Sequence, residues 1–322
     1  MKRLYQVAGL LLVITASIYF FIYLIENWSK LPANIFELKQ IPTLLAVTFC
    51  YLSCFLITSK AWYTLLYSVG EKPKLLPLLK IILLSQFAKY LPGNFAHHIS
   101  RAVLARNAVK SNNSIAITML LELILVILAA CGVAVIAISF DQSISTPQFM
   151  DVPTLGKVSV FSLITLLGLA FIYLSKSNFE KVIMSQFRFS EATPYKILGR
   201  KIQYLIECFF LYTINFLLLG AILYLLTESF FSNAQANYWL FTGLFSIAWI
   251  LGFITPGAPA GLGVREAILV TALDPIYGPG VALSLTLSLR IVTTMGDGLG
   301  FLIGLLLKKY LKPNSITQIS IK

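Results

Sequence analysis

Apolar residues run through this chain in long stretches, without the one-faced or alternating patterns of a soluble fold. Six stretches, at about 5–26, 42–69, 113–140, 156–175, 203–228 and 279–307, reach the roughly 20 residues that carry a helix across a bilayer. Two more, 76–106 and 238–274, are equally apolar but interrupted, the first at Pro92-Gly93 and the second between Pro256 and Gly263. The pattern predicts an all-α polytopic membrane protein, with about six full transmembrane helices and two re-entrant hairpins broken at Pro-Gly. A transmembrane β-barrel requires alternating segments of about ten residues, a pattern the sequence does not carry.

Composition agrees with this reading. The chain is 58% hydrophobic and 12% charged, with a mean hydropathy of +0.83, where soluble domains carry about 25% charged residues. No connection between the apolar runs is long enough to fold by itself, so residues 1–322 are expected to form a single integral membrane domain. Cys50, Cys54, Cys131 and Cys208 all lie in apolar runs without metal-ligand or paired spacing, and neither disulfides nor a metal is expected. Lys2-Arg3 precedes an apolar run from Leu4 to Ile25. That run is longer than the core of a signal peptide and has no small-residue cleavage site after it, so an uncleaved first helix is expected.

The net charge of +12 reads as topology and does not point to nucleic acid. Seven basic residues and one acid fall in 70–112, and six basic residues and two acids in 176–201. Segment 141–155 has only Asp141 and Asp151, and 229–237 has no charge. With both termini cytoplasmic, the basic segments fall inside and the others outside. The basic tail (Lys308, Lys309, Lys312, Lys322) stays inside if 238–274 enters from the outer face and returns; the alternative, a full span over 238–255, would carry the tail outside. Region 76–106 then dips from the cytoplasmic face. Hairpins entering from opposite faces predict an inverted repeat with halves at about 42–140 and 203–307. Segment 178–190, NFEKVIMSQFRFS, is amphipathic and is expected on the cytoplasmic surface against anionic headgroups.

The two interruptions share a motif. YLPGNFAHHISR at 90–101 and ITPGAPAGLGVR at 254–265 each place an arginine nine positions beyond the proline, Pro92/Arg101 and Pro256/Arg265. Pro-Gly stops a helix and frees backbone groups, which must be buried in protein or face water. Helices restarting near Asn94 and Leu262 would point positive dipole ends into the membrane, with the arginines about two turns on. Such ends suit an anionic group such as phosphate. Glu122, Arg290 and Asp297 are further charges inside apolar runs. Each needs a partner at that depth: Glu122 can pair with Arg101 or Arg265, and Arg290 with Glu266 or Asp297. Glu207 lies nearer a helix end, where it can be satisfied. Adjacent helical residues point in different directions, so His97-His98 is a poor metal pair. At most one of them, taken as His97, lines the cavity, where it can act as a titrating group, as can Asp297. GLG at 261–263 is only a fragment of a nucleotide-binding loop.

At these residues the chain resembles the integral membrane family that shares the transmembrane region of lysylphosphatidylglycerol synthase, often called flippase-like. APAGLGVREA at 258–267 resembles the family's Pro-x-Gly-Gly-Leu-Gly-x-x-Glu signature, with Arg290 following in the last helix. LPGNFAHHISRAVLARN at 91–107 resembles its Pro-Gly segment leading to an arginine, with Glu122 in the next helix. Two positions depart from the pattern. Ala260 stands where glycine is usual, and Leu123 where an arginine commonly follows the acid.

The resemblance implies a lipid flippase or transporter of the cytoplasmic membrane, moving a phospholipid or a polyprenyl- or glycolipid-type anionic lipid between leaflets. The expected substrate contacts are Pro92, Gly93, Asn94, Arg101, Glu122, Pro256, Gly257, Gly261, Gly263, Arg265, Glu266 and Arg290. The full-length synthases carry a soluble aminoacyl-transfer domain, and this sequence ends at Lys322 soon after its last apolar run. No enzymatic activity and no cofactor are therefore expected. Two alternatives stand beside this: a membrane-embedded lipid-modifying transferase, with His97, Glu122 and Glu266 as its available groups, and a non-catalytic scaffold for an envelope glycosyltransferase. Expected partners are a membrane lipid or lipid-linked substrate, an envelope glycosyltransferase or lipid synthase, and a second copy of the chain. Nucleic acid is not among them.

Overall fold

The computed structural model describes residues 2–32, 37–90, 96–140, 202–231, 234–255 and 258–310. Among these, nine α-helices and no strands are present. They are α1 (Lys2–Asn27), α2 (Ile41–Ser68), α3 (Leu75–Gln86), α4 (Ala96–Ala105), α5 (Asn112–Phe140), α6 (Ile202–Phe230), α7 (Tyr238–Ile254), α8 (Val264–Tyr277) and α9 (Pro279–Tyr310). The expected span at 156–175 and the amphipathic segment at 178–190 lie outside the described residues, as do Pro92, Gly93, Asn94, Pro256 and Gly257.

Five of the six expected full spans coincide with α1, α2, α5, α6 and α9. Among the described residues, four stretches are long and apolar enough to cross a membrane: Leu38–Ser68, Asn112–Ala137, Ile202–Phe230 and Pro279–Tyr310. The two interrupted regions are broken in the structure as well. Region 76–106 becomes α3, a 3₁₀ turn over Phe87–Tyr90, and α4. Region 238–274 becomes α7, a 3₁₀ turn over Pro259–Gly261, and α8. The 12 residues of α3 and 10 of α4 span only about 18 and 15 Å at 1.5 Å per residue. Neither crosses a hydrocarbon core of about 30 Å.

Local sequence explains the ends. Pro279 opens α9 at a position where its missing N–H costs nothing, and Lys308 and Lys309 sit in the last turn against the negative end of the dipole. Asn237 caps α7, its side-chain oxygen accepting the Leu240 N–H at 3.1 Å. The second helix of the later hairpin starts at Val264, and the earlier one at Ala96. Both begin two residues beyond the expected positions. In the second case Gly261 (φ 71°) and Gly263 (φ 82°) hold left-handed backbone that an α-helix cannot include. Arg265 stands in the first turn of α8 and not two turns into it, and even from Leu262 it is only three residues on, less than a full turn.

Lipid offers helices no hydrophobic reason to associate, so close packing decides the arrangement. The core lies where α2 meets α6 and where α5 and α7, and α3 and α9, pack together. It includes Trp62, Leu65, Leu78, Ile82, Leu125, Leu223 and Phe241, all essentially inaccessible. Gly296, Gly300 and Gly304 form one small-residue stripe along α9. A side chain on Gly296 would run into the Tyr51 ring, and one on Gly300 would come within 3.1 Å of Phe55 and 3.2 Å of Leu83. The stripe lets α9 approach α2 and α3 closely enough to place Asp297 against Tyr51 of α2 and the turn that follows α3.

Candidate functional site

Three ion pairs sit inside the helical bundle. Arg101 on α4 grips Glu122 on α5 with both terminal nitrogens, Nη1 to Oε1 at 2.7 Å and Nη2 to Oε2 at 2.5 Å. Both residues are buried, and the guanidinium lies over the Trp62 ring with 3.9 Å to its centroid. Trp62 is held in turn by donating to Thr118 Oγ1 at 3.2 Å. A bidentate arginine–carboxylate pair on an aromatic face is strong, directional and difficult to replace by lysine.

The second pair joins Lys89, in the turn after α3, to Asp297 on α9 at 2.6 Å. Asp297 has no solvent exposure. Tyr51 donates to its Oδ1 at 2.9 Å and Tyr90 to its Oδ2 at 2.5 Å, so three donors surround the carboxylate. The third pair is looser. Glu266 accepts the Gly263 N–H at 2.8 Å through Oε2, capping α8, and faces Arg290 Nη1 at 3.4 Å through Oε1. Of the pairings the sequence left open, the structure forms Glu122–Arg101 and Arg290–Glu266. Glu207, half-exposed near the start of α6, accepts from Thr64 and faces Lys60 at 3.5 Å.

Arg265 is different. Among the described residues it has no carboxylate partner, its Nε is buried without an acceptor, and its guanidinium stands 5.9 Å from the Trp249 ring centroid. Two glycines make room for it. A Cβ on Gly252 would come within 2.7 Å of Arg265 Cγ, and one on Gly261 within 2.5 Å of Nε. Ala260 beside them adopts φ 52°, ψ 23°, a left-handed conformation costing roughly 1–2 kcal/mol in a residue with a Cβ. That is a physical reason for glycine at this position. Gly252→Val should displace the Arg265 side chain while leaving the bundle intact. Tryptophan fluorescence, through the nearby Trp249, checks this: an altered emission maximum with an unchanged helical circular dichroism spectrum is expected.

Arg265 faces a cavity of about 220 Å³ enclosed by α2, α4, α5, α6, α7 and the segment leading into α8. Arg101, Glu122, His97, Lys89 and Gly261 line it from the expected set and its surroundings, and Leu123 and Ala260, the two departures from the family pattern, line it as well. A smaller recess of about 50 Å³, walled by Tyr51, Lys89, Tyr90, Glu266, Arg290 and again Arg265, adjoins the same residues. Gly263 packs instead against Ser17 of α1. Both His97 and His98 line the cavity, where at most one was expected; their rings lie 4.0 Å apart, and among the described residues His97 Nδ1 is buried without a hydrogen-bond partner. Sequence reasoning passed over Lys89, Tyr51, Trp62, Tyr212 and Asn215. Lys89 carried a signal, as a cation three positions before Pro92 inside an apolar region. Asn215 carried another, as an amide in the middle of the run at 203–228.

Long apolar helices, two interrupted helical regions and an internal charged cavity define a multi-pass membrane protein built around a buried polar site. The chain belongs to the family described as the lysylphosphatidylglycerol synthase TM region, which matches residues 6–299. It is thus related to the membrane portion of lipid synthases, in agreement with the motif at 258–267. Comparison with curated proteins finds no match.

Proposed function

We propose that this protein moves an anionic lipid between the leaflets of the cytoplasmic membrane, passing the headgroup through the cavity while the tails stay in the bilayer. The observation that carries the reading is Arg265, a guanidinium without a carboxylate partner among the described residues, seated between Gly252 and Gly261 on the cavity wall. A lone charge inside a bilayer costs from about 3 kcal/mol to well above that, so a permanent cation there is best served by a substrate anion. Family membership supports a lipid as that substrate.

Alternating access would come from two halves, 42–140 and 203–307, rocking against each other. Each half runs long helix, two short helices, long helix. Packing supports their equivalence: α5 lies against α7 of the other half, as α9 lies against α3, with α2 and α6 paired between them. The ion pairs correspond with the charges exchanged, Arg101–Glu122 joining α4 to α5 and Glu266–Arg290 joining α8 to α9. In this scheme both termini are cytoplasmic, and the short helices enter as re-entrant hairpins from opposite faces.

The test is reconstitution in liposomes with headgroup-labelled lipids, read by accessibility of the label in each leaflet. Wild-type protein is expected to equilibrate an anionic lipid, and Arg265→Ala to lower the initial rate at least tenfold, on the order of one lost charge-assisted contact. Insertion and helical content should be unchanged. Wild-type transport by Arg265→Ala would overturn the proposal.

A further inference from the structure

The cavity contains polar groups that the ion pairs leave unused. Tyr212 on α6 is 2% exposed, lines the cavity, and has a hydroxyl without a hydrogen-bond partner. One turn along the same helix, Asn215 donates through Nδ2 to Thr58 Oγ1 at 3.0 Å, which leaves its buried Oδ1 without a donor. His97 lines the same cavity, and its buried Nδ1 has no partner among the described residues. Burying a hydroxyl or an amide oxygen without a partner is costly, and buried polar groups are nearly always satisfied. Several such groups beside an unpaired guanidinium are the mark of a site that a ligand completes.

We infer that the cavity takes a hydroxyl-bearing anionic headgroup, a phosphate ester of a polyol or sugar. This deepens the transport reading and rests on it only for how the headgroup arrives. The argument is one of donors and acceptors. Phosphate oxygens accept, so they answer Arg265 and the Tyr212 hydroxyl but leave Asn215 Oδ1 unmet. An alcohol hydroxyl donates to Asn215 Oδ1 and accepts from Tyr212. A trimethylammonium group does neither. A primary ammonium donates to Asn215 but brings positive charge to a cavity in which Arg265 is already in surplus once Lys89 is matched by Asp297 and Arg101 by Glu122. A lysylated headgroup, with two ammonium groups, is the poorest match. The namesake lipid of the family is therefore disfavoured here on charge. Leu123, at the cavity wall, adds no charge to alter that balance.

The test is titration of the purified full-length protein in detergent, followed by tryptophan fluorescence, with water-soluble headgroups. The probes are glycerophosphoglycerol, glucose 1-phosphate, dimethyl phosphate and methyl phosphocholine. At least one of the two hydroxylated anions is expected to bind at least tenfold more tightly than either of the others. Which of them leads distinguishes a polyol phospholipid from a sugar-phosphate lipid. Tyr212→Phe and Asn215→Leu should each weaken that binding about tenfold, since a site built to hydrogen-bond a hydroxyl discriminates strongly through it. Asn215→Leu should leave dimethyl phosphate within about twofold, because a phosphodiester anion without hydroxyls cannot donate to Oδ1. Equal affinity for methyl phosphocholine, unchanged binding in both variants, or no binding by any probe overturns the inference. Selective headgroup binding without lipid movement in liposomes would uphold the site and refute the transport reading. Lipid movement without headgroup selectivity would do the reverse.

Discussion

Glu122→Leu should destabilise the protein by about 3–5 kcal/mol, because it strands a buried guanidinium. Arg101 is 4% exposed and its two terminal nitrogens have Glu122 as their only carboxylate among the described residues. The Trp62 face beneath it offsets part of the charge but supplies no acceptor. The measurement is unfolding in detergent, by heat or by titration with a denaturing detergent. The double variant Arg101→Met/Glu122→Leu should recover most of the loss, since removing both charges also removes their desolvation cost. A double variant as unstable as Glu122→Leu alone would mean that the pair acts through something other than mutual charge compensation. The double variant also separates fold from transport. If Arg265 is the anion contact and Arg101 the brace of α4 on α5, it should stay folded and keep measurable transport, whereas Arg265→Ala should not transport.

Asp297→Leu should cost a comparable amount, about 3–5 kcal/mol, for a parallel reason. It removes the acceptor shared by Lys89, Tyr51 and Tyr90 and leaves an ammonium in a largely buried place. Asp297→Asn should be milder, because an amide oxygen still accepts one hydroxyl while only the charge is lost. The same unfolding measurement ranks the two. Equal loss in both would mean that charge, and not the hydrogen-bonded network, holds the turn after α3 to α9. Substituting Lys89 by methionine in the Asp297→Leu background should restore stability in part. Tyr51 and Tyr90 then remain as the unsatisfied members.

Both predictions rest on contacts that the sequence announced only in part. Glu122 and Asp297 stand out in apolar runs because a charge at that depth demands a partner. Their partners do not stand out. Arg101 was one of two arginines available to Glu122, and Lys89 read as one cation among seven in a basic stretch. Loop charge counts cannot tell a lysine that faces lipid headgroups from one folded back against α9. The choice is made by the Gly296, Gly300 and Gly304 stripe, which brings α9 against α2 and α3. Arg265 shows the opposite case. Its place beyond a Pro-Gly break marked it as unusual, but the reason it stays unpaired is a matter of packing. Glu122 is taken by Arg101, Glu266 is turned toward the helix cap and Arg290, and two glycines hold the Arg265 side chain along the cavity wall.

By itself the sequence determined the solvent in which this chain folds, five of the helices that the structure describes, the two places where helices break, and the family. Those are local properties, set by apolar run length and by residues that cannot continue a helix. Only the tertiary structure decided which charges cancel, which one is left over, and which polar groups of α6 share a cavity with it. Such pairings join residues as far apart as Lys89 and Asp297. Geometry across helices selects them, and no spacing along the chain encodes that geometry.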